Sequence, residues 1–351
     1  MEGGEETESS GGRGNELAGF ADVQALADAL CQGNRRALSR GITIVESTLP
    51  GHRSIAMQLL ELVTPRSGQS VRVGISGAPG VGKSTFIEAL GRHIVELGHR
   101  LAVLAVDPSS SLSGGSVLGD KTRMQTLSTR DDVFIRPSPA GDSLGGVARR
   151  TRESIVLCEA AGFDVVLVET VGVGQSETAV ANMTDLFLLL LLPSGGDELQ
   201  GIKRGIMELA DIVLVNKADG EFEAAATRSA ADFAQALRLL RPRTEGWTVP
   251  VQTCSAKTGI GIESAWERIE SGIAHLERDG NLNARRAYQA RRWLWEELSE
   301  GLLDVLRHDP QTRDALRALE MEVASGRLPA TVAAKRLLSK FLAMRGDQNR
   351  G

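Results

Sequence analysis

The chain has 351 residues, 42% of them apolar and 24% charged, the proportions of a folded globular protein long enough to bury an α/β core with a helical element attached. With 40 basic and 45 acidic side chains the net charge is −5, which argues against a broad electrostatic grip on nucleic acid or on an anionic membrane. The longest apolar run, Leu186 to Leu192, is far short of the roughly 20 residues that a membrane helix needs, and no charged-then-apolar leader opens the chain, so the expected location is the cytoplasm.

Residues 1–16 are Gly, Glu and Ser without apolar periodicity, a composition that cannot offset the entropy of ordering, and a disordered tail is expected there. Residues 17–66 form an N-terminal helical extension by their pattern. Val23, Leu26 and Leu30 make one stripe, Leu38, Ile42 and Val45 a second, and Ile55, Leu59 and Leu62 a third. From 70 to 278 short apolar runs alternate with helical stretches, which signals βαβ units and a parallel sheet buried on both faces. The expected strands are 71–76, 101–106, 133–136, 165–168, 186–192, 212–216 and 249–253. Residues 281–345 read as a helical arm. Leu294, Leu298 and Leu302 form a stripe, Asp309 caps a helix opened by Pro310, and a last helix carries Val332, Leu337 and Phe341. Both flanking regions hold apolar stripes that the central domain does not need for its own core, so self-association is expected.

Cysteine and histidine usage narrows the chemistry. Cys31, Cys158 and Cys254 are odd in number and far apart, which suits small core residues in a reducing compartment. The five histidines never stand at ligand spacing with a cysteine or with each other, so a dedicated soft-metal site is not expected. The 40 basic residues divide into 33 arginines and 7 lysines, which makes the position of each lysine informative.

Directly after the first strand come Gly77, Ala78, Pro79, Gly80, Val81, Gly82, Lys83, Ser84 and Thr85, followed by a helical pattern. This is a phosphate-binding loop in its proper strand-to-helix context. Its backbone N–H groups cradle phosphate oxygens, Lys83 reaches the terminal phosphates and Ser84 can ligate Mg²⁺. The four defining positions would match by accident in about one chain in a hundred of this size. The second strand delivers Asp107 to the carboxyl edge of the sheet, a place for a metal-shell carboxylate, although a turn aspartate before Pro108 would look the same. The Ser- and Gly-rich run from Ser109 to Gly119 reads as a switch loop, and Asp120 at its end is a second metal or water contact. The fourth strand ends in Glu169, with Gly172 three residues on, the acid-x-x-Gly pattern in which the carboxylate holds Mg²⁺ through water and the glycine amide senses a γ-phosphate. Gln175 is either a water-orienting residue or a solvated loop amide.

The strand at 212–215 ends in Asn216, Lys217, Ala218 and Asp219. A carboxylate there accepts hydrogen bonds from N1–H and the 2-amino group of guanine, which adenine does not present. Lys217 packs its stem over the base, and Ser255, Ala256 and Lys257 supply a loop whose backbone meets the guanine oxygen. Three of the seven lysines, Lys83, Lys217 and Lys257, thus fall inside nucleotide motifs. Arg149, Arg150 and Arg152 stabilise transition-state charge, dock a partner or form a solvated helix face, the last being the simpler reading. Residues 193–203 are either a third mobile loop or an ordinary helix start at Asp197.

Taken in order, GAPGVGKST (77–85), VDPSSSLSGGSVLGDKTRM (106–124), LGG (144–146), VETVGVGQSE (168–177), GDELQGIK (196–203) and NKAD (216–219) resemble the methylmalonyl-CoA mutase-associated GTPases of the MeaB/ArgK type, P-loop GTPases of the SIMIBI class. The resemblance runs from Leu17 to Phe341. It implies a G domain with a mostly parallel sheet, flanked by an N-terminal helical extension and a C-terminal helical dimerisation arm. It further implies a GTP/GDP- and Mg²⁺-dependent chaperone that gates adenosylcobalamin delivery to methylmalonyl-CoA mutase, or to a related acyl-CoA mutase, and protects or reactivates it. In that frame Lys83, Asp107, Asp120, Glu169 and Gly172 serve the reaction, Ser84, Asp107, Asp120 and Glu169 surround the metal, and Lys203 belongs to an extra switch facing the mutase. Gly141, Asp142, Ser143 and Ser194 depart from the usual family pattern. A metal-insertion GTPase and a transport-system protein kinase are the alternatives.

Overall fold

A computed structural model of the chain describes residues 23–106, 124–137, 144–170, 176–193, 204–278 and 280–348. The expected tail at 1–16 lies outside them. The chain divides into two compact units, residues 1–283 and 284–351.

The first unit opens with three helices, α1 (Val23–Cys31), α2 (Arg35–Glu46) and α3 (Pro50–Val63). Asn34 starts α2 because its side-chain oxygen accepts from the amides of Arg36 and Ala37, two donors that the helix itself cannot satisfy. Leu30, Leu38, Ile42, Val45, Leu59 and Val63 are all fully buried.

Seven strands follow: β1 (Val71–Gly77), β2 (Leu101–Val106), β3 (Val133–Arg136), β4 (Val165–Thr170), β5 (Leu186–Leu191), β6 (Ile212–Val215) and β7 (Val251–Thr253). They form one sheet in the order β3-β2-β4-β1-β5-β6-β7, with every pairing parallel. The helices between them are α4 (Lys83–Glu96), α5 (Gln125–Ser128), α6 (Leu144–Ala160), α7 (Ser176–Ala181), α8 (Arg204–Met207) and α9 (Glu223–Leu237), and α10 (Ile262–Arg278) follows β7. The strands read as continuous apolar runs because both faces are covered. Leu186, Leu188, Leu190, Ile212 and Leu214 point into a core shared with α4 and α10. Leu189, Leu191, Val213 and Val215 point into a second core with Phe233 and Leu237 of α9.

The strand order positions the site. The chain fills one side of β1 with β2, β3 and β4 and then crosses to the other with β5, β6 and β7, so the carboxyl end of β1 is the topological switch point where open α/β sheets bind ligands. Three strands are shorter than their apolar runs suggest, β5 stopping at Leu191 one residue before the end of its run. β6 stops at Val215, and β7 begins at Val251 because Pro250 has no N–H to give to the ladder.

The second unit holds most of α11 (Asn281–His308), with α12 (Pro310–Ala324) and α13 (Ala330–Gln348). Asp309 caps α12, its carboxylate accepting from the Thr312 amide at 3.0 Å, with Pro310 at the first helical position. Leu328, Ala333 and Leu337 are buried, whereas the stripe on α11 is exposed. Among the described residues no helix is long and apolar enough to cross a membrane.

Candidate functional site

The phosphate loop joins β1 to α4 as its spacing predicts. Ala78, Pro79 and Gly80 are exposed at the rim, Val81 is buried beneath them, and Thr85 is exposed in the first turn of α4. Gly82 has φ +95°, a left-handed conformation that disfavours a side chain, and a Cβ there would lie 2.9 Å from Asn216 Nδ2. The Lys83 ammonium donates to the Gly77 carbonyl at 2.8 Å and approaches that of Ala78 at 3.4 Å. Burial pushes its pKa below the ordinary lysine range, and the charges of Glu169 and then Glu177 push it back up.

Glu169 occupies the penultimate position of β4, between Ile75 of β1 and Ala105 of β2. It is buried, and its Oε1 lies 3.5 Å from Ser84 Oγ. A hydroxyl and a buried carboxylate thus converge beside the phosphate loop, a pair of hard oxygen donors of the kind that Mg²⁺ accepts while keeping several waters. Next to them Thr170 Oγ1 donates to Ser76 Oγ at 2.9 Å, which ties the ends of β4 and β1 together.

The second cluster lies beyond β6 and β7. Asn216 is buried and reaches two other loops at once. Its Nδ2 donates to the Val81 carbonyl at 2.8 Å, and its Oδ1 accepts from the Ala256 amide at 3.0 Å. Lys217 is exposed and carries φ +60°, a strained value for a residue with a side chain and one that often marks a functional turn. The Ala218 amide donates to the Cys254 carbonyl at 2.9 Å, and Ser255 Oγ donates to Asp219 Oδ1 at 2.6 Å. Ser255 Oγ also accepts from the Thr258 amide at 3.2 Å, which closes the turn that presents Lys257. Loops 77–84, 216–219 and 254–258 are therefore one hydrogen-bonded assembly at the carboxyl edge of the sheet.

Asp107, Asp120, Gly172, Gln175 and Lys203 lie outside the described residues, as do Gly141, Asp142, Ser143 and Ser194. The arginine-bearing helix is α6, and here the solvated-face reading is corrected for one residue. Arg150 is buried, because α6 is packed between the sheet and helices α2 and α3 and has little free surface. Two features escaped the sequence reading. Asn216 acts on backbone groups 135 and 40 residues away, for which no local pattern exists. Glu177, the last residue of the 168–177 run, is buried in the first turn of α7.

A family model described as Methylmalonyl Co-A mutase-associated GTPase MeaB matches residues 38–311. A mouse protein named methylmalonic aciduria type A homolog, mitochondrial, is 47% identical over 329 residues, covering 91% of this chain and 79% of its own. The Escherichia coli K12 GTPase ArgK is 46% identical over 277 residues, covering 79% of this chain and 84% of its own. The crystal structure of an LAO/AO transport system kinase superposes with a TM-score of 0.73 at 36% identity, covering 92% of this chain and 98% of that one. With the phosphate loop and the Asn216 cluster held together as described, these likenesses mean that the chain is a guanine-nucleotide-binding P-loop GTPase and belongs to the MeaB family of methylmalonyl-CoA mutase-associated GTPases.

Proposed function

We propose that the chain is a Mg²⁺-dependent GTP hydrolase that serves as a chaperone for an adenosylcobalamin-dependent methylmalonyl-CoA mutase or a related acyl-CoA mutase. The observation that carries the reading is the union of two clusters through Asn216, one suited to phosphates and one to guanine. In this reading Lys83 and the amides of residues 77–85 hold the phosphates, and Ser84 and Glu169, with Asp107 and Asp120, hold Mg²⁺. The convergence of Ser84 Oγ and Glu169 Oε1 supports that fit. Bound there, the ion would neutralise charge on the transferring phosphoryl group. Gly172 senses the γ-phosphate. Asp219 selects guanine, Lys217 covers the base, and Ser255, Ala256 and Lys257 complete the base pocket.

The mutase partnership rests on the family description and on the name of the mouse relative. The division into a tail (1–16), a helical extension (17–66), a G domain (70–278) and a dimerisation arm (281–345), the homodimer and the cytoplasmic location belong to the same proposal. GTP turnover measured with and without the purified cobalamin-dependent mutase, with ATP as control, tests it. Guanine-specific release of orthophosphate that the mutase accelerates is expected. Guanine-specific turnover indifferent to every acyl-CoA mutase would remove the partner and keep the nucleotide site. The kinase named by the structural relative supplies a second reading, in which label from γ-phosphate would appear on a protein and not as orthophosphate.

A further inference from the structure

Ser76 and Thr170 stand where a parallel sheet covered on both faces ordinarily places apolar side chains. β4 follows that rule from Val165 to Val168 and then ends in Glu169 and Thr170. Thr170 is 0% exposed and Ser76 1%, so each hydroxyl must find its partner inside the protein. The bond from Thr170 Oγ1 to Ser76 Oγ at 2.9 Å supplies one. An apolar pair of the same shape would serve stability about as well, which leaves the bridge in want of a reason other than packing.

Its place in the sheet suggests one. Successive residues of a strand point to opposite faces. Ile75 lies in the core shared with α4, whereas a Cβ at Gly74 would lie 2.7 Å from Val180 Cγ1, so Gly74 and, two residues on, Ser76 face α7. Glu169 pairs with Ile75 in register and shares its face, which brings its Oε1 to 3.5 Å from Ser84 Oγ at the start of α4. The end of β4 is thus clasped from both sides, by Glu169 and Ser84 on the α4 face and by Thr170 and Ser76 on the α7 face. Ser76 in turn precedes Gly77, whose carbonyl accepts from the Lys83 ammonium at 2.8 Å. From Ser84 through Glu169, Thr170, Ser76 and Gly77 to Lys83, covalent bonds and polar contacts close a ring around the carboxyl end of β1. Mg²⁺ tolerates little departure from octahedral geometry, so small displacements of an oxygen donor weaken its binding.

We propose that Thr170 is a positioning residue for the metal, its hydroxyl bridge to Ser76 fixing the end of β4 and with it the separation of the Glu169 carboxylate from Ser84. No covalent step is involved; the bridge sets where an oxygen donor stands. The proposal rests on the reading of Ser84 and Glu169 as holding Mg²⁺, and the test separates the two.

The test uses the full chain and the fluorescent methylanthraniloyl derivative of GDP. It reads the Mg²⁺ concentration that half-saturates the metal-dependent gain in nucleotide affinity, the affinity in EDTA, and stability to urea. Wild type is compared with Thr170→Val, Thr170→Ser, Ser76→Ala, the double variant Thr170→Val/Ser76→Ala and Glu169→Gln. Thr170→Val keeps the shape and removes the donor, so the half-saturating Mg²⁺ is expected to rise by about fivefold, the factor that one neutral hydrogen bond is worth, while affinity in EDTA stays as in wild type. Thr170→Ser keeps the hydroxyl and should stay within about twofold of wild type. Ser76→Ala should match Thr170→Val, and the double variant should require no more Mg²⁺ than either single one. Each single variant strands a buried hydroxyl and loses stability, whereas the double variant leaves none and should regain it while its Mg²⁺ requirement stays raised. A merely structural bridge predicts that the metal requirement recovers together with stability. That recovery overturns the proposal, as do unchanged Mg²⁺ dependence in Thr170→Val, a double variant whose loss is the product of the two single losses, and a Thr170→Ser as impaired as Thr170→Val. Unaltered Mg²⁺ dependence in Glu169→Gln would instead overturn the reading of Glu169, whatever Thr170 does.

Discussion

At the scale of single residues, Asn216 decides how three separately encoded loops become one surface. Buried amides are costly unless both ends are satisfied, and here one end takes the Val81 carbonyl and the other the Ala256 amide. The same economy fixes Asp219. Ser255 Oγ donates to one carboxylate oxygen at 2.6 Å, which orients the group for the donors of a guanine edge. Asp219→Asn replaces an acceptor by an amide that can donate, and xanthine carries a carbonyl where guanine carries its 2-amino group. Hydrolysis of sub-saturating GTP is therefore expected to fall by about 10²- to 10⁴-fold, the value of two hydrogen bonds to a charged group at about 1.5–3 kcal/mol each, while xanthosine triphosphate becomes a substrate. Steady-state turnover with the two nucleotides checks this, and an unaltered preference for GTP would remove Asp219 from base selection. The tetrapeptide that holds both residues was legible in the sequence. What Asn216 touches was not, because its partners meet it only after the sheet has formed.

The elements were legible where one physical signal governed them. Apolar runs such as Leu186–Leu191 had to be strands buried on both faces, and the alternation of their side chains between two cores follows from the pleat. Arg150 of α6 was misread because a helix wedged between a sheet and two other helices offers no clean polar face. How such a helix carries charge is clear at its last turn. Glu159 receives both forks of Arg72, at 2.7 and 2.9 Å, and also accepts from the Gly68 amide and the Ser70 hydroxyl. The pair fastens α6 to the start of β1 and is buried on both sides. Glu159→Ala would leave Arg72 buried without its counter-charge and should lower unfolding stability by about 3–5 kcal/mol. Glu296→Ala, which breaks the exposed pair with Arg292 on α11, should cost less than about 1 kcal/mol. Urea denaturation of the two variants measures the contrast, and equal costs would mean that the Arg72–Glu159 pair is not the fastening described.

For the whole molecule, the unresolved matter of the sequence reading was what covers the stripe on α11. Periodicity identifies a helical face and says nothing of its partner. Leu294, Trp295, Leu298 and Leu302 are 58%, 70%, 45% and 65% exposed, a density of large apolar groups that monomeric surfaces rarely carry along one helix. The helix has 28 residues, about 42 Å of length, so a second copy of the same arm could cover the stripe over several turns. A twofold arrangement would pair the patch with itself and need no other surface. Light scattering should then give about twice the 37.4 kDa chain mass across a concentration series. Leu298→Asp with Trp295→Asp would place charges in the middle of that contact and should yield monomers that still hydrolyse GTP at the basal rate, since neither residue belongs to the nucleotide loops. A wild-type chain that scatters as a monomer at every concentration would leave the stripe to a different protein, and the mutase then becomes the first candidate to test against it.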